Sequence, residues 1–247
     1  MIRNGVDTVS QMAVINLTPD SFYEPSRVWS EKPEAALARI RRFLDEGADI
    51  IDLGAVSTRP GAADVSVEEE WRRLEPVLEA LMAAGEPPTI SIDTTSAEIV
   101  RRAYEVIGKF IVNDISAGED DKTMLQTVGQ LGLTYVAMHK RGNPRSMDSL
   151  CEYPDGIIPE LVRYFKVFSR AADSYGIKDW ILDPGLGFAK TEAQNWEILE
   201  KLEALKVFGR PILIGAADKR FTHGDTARAH ALAIAHGADI LRVHTII

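Results

Sequence analysis

The chain has 247 residues, 45% hydrophobic and 26% charged, with 28 basic against 37 acidic side chains and a net charge of −9. This is the composition of an ordinary soluble globular protein. No run approaches the roughly 18 apolar residues of a membrane span, and the acidic balance speaks against the basic face that nucleic-acid binding requires.

The single cysteine, Cys151, gives neither a disulfide framework nor a cysteine metal cluster. The opening MIRNGVDTVSQ carries no apolar signal segment, so a reducing cytoplasm is the expected compartment.

In chain order, the first apolar run is MAVINL (12–17), followed by a helical pattern over 32–46. DIIDLG (49–54) comes next, then an amphipathic stretch from Ser66 to Gly85. Ser66 three residues before Glu69 reads as a capping box. TISID (89–93) precedes a helix over 96–107, FIVNDIS (110–116) one over 121–131, and TYVAMHK (134–140) one over 157–175. WILDP (180–184) leads to a helix from Thr191, with Gln194 as its box partner, to Gly209. PILIGAA (211–217), a helix over 225–236 and DILRVHT (239–245) complete the series.

The runs are almost continuously apolar, as strands buried on both faces are. Alternation of strand and helix predicts a parallel sheet with helices outside it. Eight such units close into a (β/α)₈ barrel of about 250 residues, here one domain over 1–247. An open doubly wound sheet is the alternative, but it usually carries a glycine-rich turn after its first strand, where this chain has NLTPDSF. The last strand reaches His244 close to Ile247, so the eighth helix of the barrel is expected to be missing. Either a partner chain or a further tail would then cover the first and last strands.

In such a barrel the C-terminal strand ends meet at one face, where chemistry resides. They carry Asn16, Asp20, Asp52, Asp93, Asn113, Asp114, His139, Asp183, Lys219, Arg242 and His244. Each has an ordinary reading as a cap or turn residue. The stretch DWILDPGLGFAK poses that choice most sharply, since Asp183 either opens a turn or is delivered to a ligand. Taken together, Asp93, Asn113 and Asp183 place acceptors from three strands in one mouth. Carboxylates so gathered need compensating donors, which a ligand rich in N–H groups supplies. Lys219, Arg242 and His244 form a positive side suited to a phosphate-like group.

NLTPDSF (16–22), DLGAVSTRPGA (52–62), SIDT (91–94), NDIS (113–116), MHKRGNPRSM (138–147), LDPGLGFAKTEAQN (182–195) and RVH (242–244) resemble dihydropteroate synthases, in order and at strand ends. The resemblance implies a folate-synthesis transferase. It would join 4-aminobenzoate to 6-hydroxymethyl-7,8-dihydropterin diphosphate with Mg²⁺ assisting, releasing pyrophosphate. It assigns Asp93, Asn113, Asp183 and Lys219 to pterin binding, with Met138 and Phe188 beside the ring. Asn16, Arg242 and His244 fall in the diphosphate and metal region. Thr58, Arg59 and Pro60 fall in the loop that helps form the aminobenzoate pocket, and Asp20 in the loop that closes over it. Sulfonamides are implied as candidate ligands, and a homodimer as the assembly.

The chain departs from the family pattern after its seventh strand. Ser-Arg-Lys-Ser is usual there, and this chain has Ala217-Asp218-Lys219-Arg220. The departure leaves open a pterin-binding barrel without turnover.

Overall fold

The apolar runs become strands because each is enclosed between the barrel interior and a helical layer. The computed structural model describes residues 9–18, 33–56, 65–85, 87–142 and 146–247. Its elements are β1 (Ser10–Asn16), α1 (Glu34–Glu46), β2 (Ile50–Gly54), α2 (Val67–Ala83), β3 (Ile90–Asp93), α3 (Ala97–Ile107), β4 (Ile111–Asp114) and α4 (Met124–Leu131). They continue as β5 (Thr134–Met138), α5 (Ile157–Tyr175), β6 (Trp180–Asp183), α6 (Glu192–Glu200), β7 (Leu213–Ile214), α7 (Thr226–Ala235) and β8 (Ile240–Val243).

The strands form one eight-stranded sheet in the order β6-β5-β4-β3-β2-β1-β8-β7. All seven pairings are parallel. A parallel bridge between Leu182 and Ile212, with Leu182 N–H donating to Pro211 O at 2.9 Å, brings the two end strands together. The result is the expected (β/α)₈ barrel. Among the described residues, no helix follows β8.

Two local differences from the sequence reading have clear causes. The Ser66 hydroxyl caps α2 by accepting from Glu69 N–H at 3.2 Å. The Glu69 carboxylate instead receives Arg72 and Arg73, so the reciprocal half of the box is replaced by ion pairs. The Thr191–Gln194 box does form, but α6 ends at Glu200 and a 3₁₀ turn over Leu202–Phe208 completes the predicted 191–209 segment.

Side chains alternate in and out along each strand, which divides the core in two. The outward set packs under the helices; there Trp180 meets Phe165, Phe168 and Phe208. The inward set begins with Met12, Ile50, Ile111, Val136, Ile181, Leu213 and Ile240, seven apolar side chains forming one buried cluster. They plug the base of the barrel, and everything two residues further along a strand stands above the plug.

Candidate functional site

Counting two residues up from the plug yields the mouth. Ile50 leads to Asp52, Ile111 to Asn113, Val136 to Met138, Ile181 to Asp183 and Ile240 to Arg242, while Asp93 lies two beyond Ser91 on β3. Register places Asp52 beside Ser91 and, one level higher, Asp93 beside Asn113. The apolar-to-acidic switch within each strand is therefore a change of level inside one lumen.

Asp52 is fully buried and organises this level. Its Oδ1 accepts from Ser91 Oγ at 2.6 Å, and Asn113 Nδ2 lies 3.3 Å from both carboxylate oxygens. Arg242 Nε donates to its Oδ2 at 2.7 Å, and Arg242 Nη2 reaches Asp93 Oδ2 at 2.8 Å. One guanidinium thus spans two carboxylates.

Asp93 is pushed up to about 7, first by burial and further by the Asp52 charge, while Arg242 opposes the rise. For Arg242 the carboxylates outweigh burial and hold the guanidinium more firmly protonated.

Asp183 both opens the turn and faces the lumen. Its Oδ1 accepts Gly185 N–H at 2.7 Å, a turn bond, yet it stands in the inward row with its carboxyl raised by burial. Gly185 sits at φ +69°, and a Cβ there would lie 2.1 Å from His139 O, so only glycine lets this turn lie against β5. Across the mouth, Lys219 Nζ lies 4.5 Å above the Phe188 ring. Burial lowers the Lys219 ammonium to about 8, against the pull of Asp183.

Met138 is inward-facing and 3% exposed, an apolar wall next to Asp183 in register. Asn16 tops β1; its Oδ1 would be 3.7 Å from a Cβ at Gly54, and Asp93 Cβ 3.5 Å from it. The missing side chain at Gly54 keeps this part of the rim open. His244 Nε2 stands 4.0 Å from Asp218 Oδ2. Asp20, Thr58, Arg59 and Pro60 lie outside the described residues.

Two rim candidates point elsewhere. Asp114 follows Asn113 and therefore faces outward, accepting from Tyr135 Oη at 2.6 Å, Ser116 Oγ at 2.7 Å and two backbone N–H groups. His139 likewise lies behind the mouth, with its ring edge-on to Tyr164.

Lys190, not singled out from sequence, occupies the same space. Its Nζ meets His139 Nδ1 at 3.0 Å and donates to Phe188 O at 2.8 Å, tying the DPGLGF turn to β5. When Lys190 is an ammonium it can only donate, which makes Nδ1 the acceptor and leaves the ring proton on Nε2. Burial keeps His139 neutral and lowers Lys190 to about 7.

The mouth therefore offers fixed acceptors on one side (Asp93, Asp183 and the Asn113 amide) and cations on the other. Among the described residues, no group of three His, Cys, Asp or Glu is arranged to hold a metal ion. The set suits a flat ligand with an N–H edge and an anionic arm.

Comparison with known proteins agrees with this arrangement. The sequence pattern of the family described as pterin binding enzyme matches residues 12–244. Dihydropteroate synthase of Synechocystis sp. is 39% identical over 95% of this chain and 84% of its own length. Folic acid synthesis protein fol1 of Pneumocystis carinii is 38% identical over 95% of this chain, which spans only 34% of that longer protein. A Xanthomonas albilineans dihydropteroate synthase structure with 4-aminobenzoic acid superposes with a TM-score of 0.83 at 36% identity, covering 97% of this chain and 89% of that one.

Proposed function

The chain belongs to the pterin-binding enzyme family, and from that premise we propose that it is a dihydropteroate synthase, a transferase of folate synthesis. It condenses 4-aminobenzoate with 6-hydroxymethyl-7,8-dihydropterin diphosphate. The C–O bond between the pterin methylene and the diphosphate breaks as the aryl amine forms a C–N bond to that carbon. Pyrophosphate leaves, and the amine gives up one proton to solvent. The observation that carries this reading is the convergence of Asp93, Asn113 and Asp183 in one lumen, above a single apolar plug.

Asp93, Asn113 and Asp183 hold the pterin edge, and Met138, Phe188 and Lys219 flank the ring. As the diphosphate departs, positive charge develops on the methylene, and carboxylates already fixed nearby stabilise it more in the transition state than in the ground state. The amine is nucleophilic without activation, so the chemistry needs no serine or cysteine. Arg242 and His244 face the anionic arm. The family resemblance assigns Thr58, Arg59 and Pro60 to the aminobenzoate side, where sulfonamides compete, and Asp20 to the loop that closes over it.

The donor set also fits Mg²⁺. This ion keeps several waters and binds through one or two protein oxygens plus substrate phosphates. Asn16 Oδ1 at the rim, beside Gly54, is a protein oxygen of that kind. When bound, the ion neutralises charge on the leaving diphosphate. A homodimer working in the cytoplasm completes the proposal.

Asp218 favours one other reading. A carboxylate 4.0 Å from His244 stands where the family usually has arginine, which weakens a diphosphate corner and suits a pterin binder without turnover. Pyrophosphate release measured with both substrates decides between them. Release dependent on both substrates, abolished by Asp183→Ala, is expected. Pterin binding with release at the no-enzyme background would overturn the synthase reading.

A further inference from the structure

We propose that Asp52 fixes which end of the Asn113 amide faces the mouth, and that this positioning selects ligand rings presenting N–H donors. The inference deepens the pterin-binding reading and rests on it.

An asparagine side chain has a donor end and an acceptor end of nearly equal shape, so its sense is set by its neighbours. Here the neighbour is a carboxyl group whose two oxygens both act as acceptors. Asp52 Oδ2 accepts from Arg242 Nε at 2.7 Å and its Oδ1 accepts from Ser91 Oγ at 2.6 Å, so both oxygens already serve as acceptors. With Asn113 Nδ2 3.3 Å from both carboxylate oxygens, the amide hydrogens have a partner. Turning the amide over would set three oxygens against one another in a buried site. Nδ2 is therefore locked downward and Oδ1 is directed away from Asp52.

Asn113 is itself only 4% exposed and sits beside Asp93 in register, so its fixed carbonyl belongs to the acceptor face of the mouth. Asp52 has no exposed surface and lies one level below. It touches no ligand and acts through Asn113 and, by the same carboxylate, through Arg242. A buried acceptor left opposite another acceptor rejects a ligand far more strongly than a lost apolar contact does.

The test uses dissociation constants from calorimetry for two ligand pairs, each differing by one donor group. One pair is 6-hydroxymethylpterin against its 2-deamino analogue, which lacks the 2-amino donor; the other is the 7,8-dihydro form against the oxidised form, which lacks N8–H. The wild type is expected to prefer the donor-bearing partner by at least about tenfold in one pair.

In Asp52→Asn the new amide can pair with Asn113 in either sense, so that preference is expected to shrink about tenfold while thermal unfolding stays cooperative. Ser91→Ala leaves Asp52 acceptor-only and is expected to keep the preference. A wild-type measurement covers the case in which Asp52→Asn does not fold. The Asn113 side-chain NH₂ should be protected from hydrogen exchange in the free protein, and should stay protected when pterin binds.

An Asp52→Asn variant that folds with the full preference, or an Asn113 NH₂ that loses protection on binding, overturns the inference and leaves the pterin reading intact. A wild type that binds no pterin overturns the proposed function, and this selectivity with it.

Discussion

Arg242→Met tests the electrostatics of the mouth most directly. The substitution keeps an unbranched apolar stem but removes the guanidinium bonded to Asp52 at 2.7 Å and Asp93 at 2.8 Å. Leaving buried charge without its partner costs roughly 3–5 kcal/mol, and part of that cost is titratable.

Asp93 already sits near 7 with Arg242 present, and Arg242 is the group holding it down. A carboxyl raised above its unfolded value binds its proton more tightly when folded. Its stabilising contribution is therefore complete below the unfolded pKa of roughly 4 and is lost as pH rises through the folded value. In the variant that value climbs further, so the loss continues to higher pH than in the parent. If it climbs by one unit, the difference in unfolding free energy between parent and variant grows by about 1 kcal/mol from pH 6 to pH 8, and by about 1.4 kcal/mol if it climbs by several units. Urea denaturation at both pH values measures it. Equal destabilisation at pH 6 and pH 8, or a total below about 1 kcal/mol, would refute the coupling of Arg242 to Asp93.

Pterin affinity should rise with pH through about 7 as Asp93 ionises and fall above about 8 as Lys219 loses its proton. Calorimetry on Asp93→Asn should show the acid limb gone and the alkaline limb retained. Gly185→Ala should destabilise by at least ~2 kcal/mol, from left-handed backbone strain plus the collision with His139 O. Gly187→Ala, whose Cβ would meet only the flexible Lys219 stem at 3.3 Å, should cost less; thermal unfolding of the two side by side checks this. Tyr135→Phe removes one of four donors from buried Asp114 and should cost about 1–3 kcal/mol in denaturant unfolding. Pterin affinity should be unchanged, because Asp114 points away from the mouth.

The barrel was legible because burial on both faces leaves strands almost purely apolar, and such runs stand out between amphipathic helices. The acceptor trio was legible for a related reason: Asp93, Asn113 and Asp183 each break an apolar run at its end. Asp114 and His139 also lie at strand ends, and position at a strand end alone does not tell them from the lumen-facing residues. Strand parity separates Asn113 from Asp114, and counting from Ile111 in the sequence would have done so. No comparable count reveals that Arg242 bridges Asp52 and Asp93, or that Lys190 ties the DPGLGF turn to His139. Those contacts join residues up to 190 positions apart and depend on barrel closure.

The apolar ring at the base has a kinetic consequence. Among the described residues it closes the base of the barrel, so a molecule held at Asp93, Asn113 and Asp183 is reached from the strand ends above it. Whichever reactant lies deepest has to arrive before the one resting on it, and the joined molecule has to back out the way its first half came in.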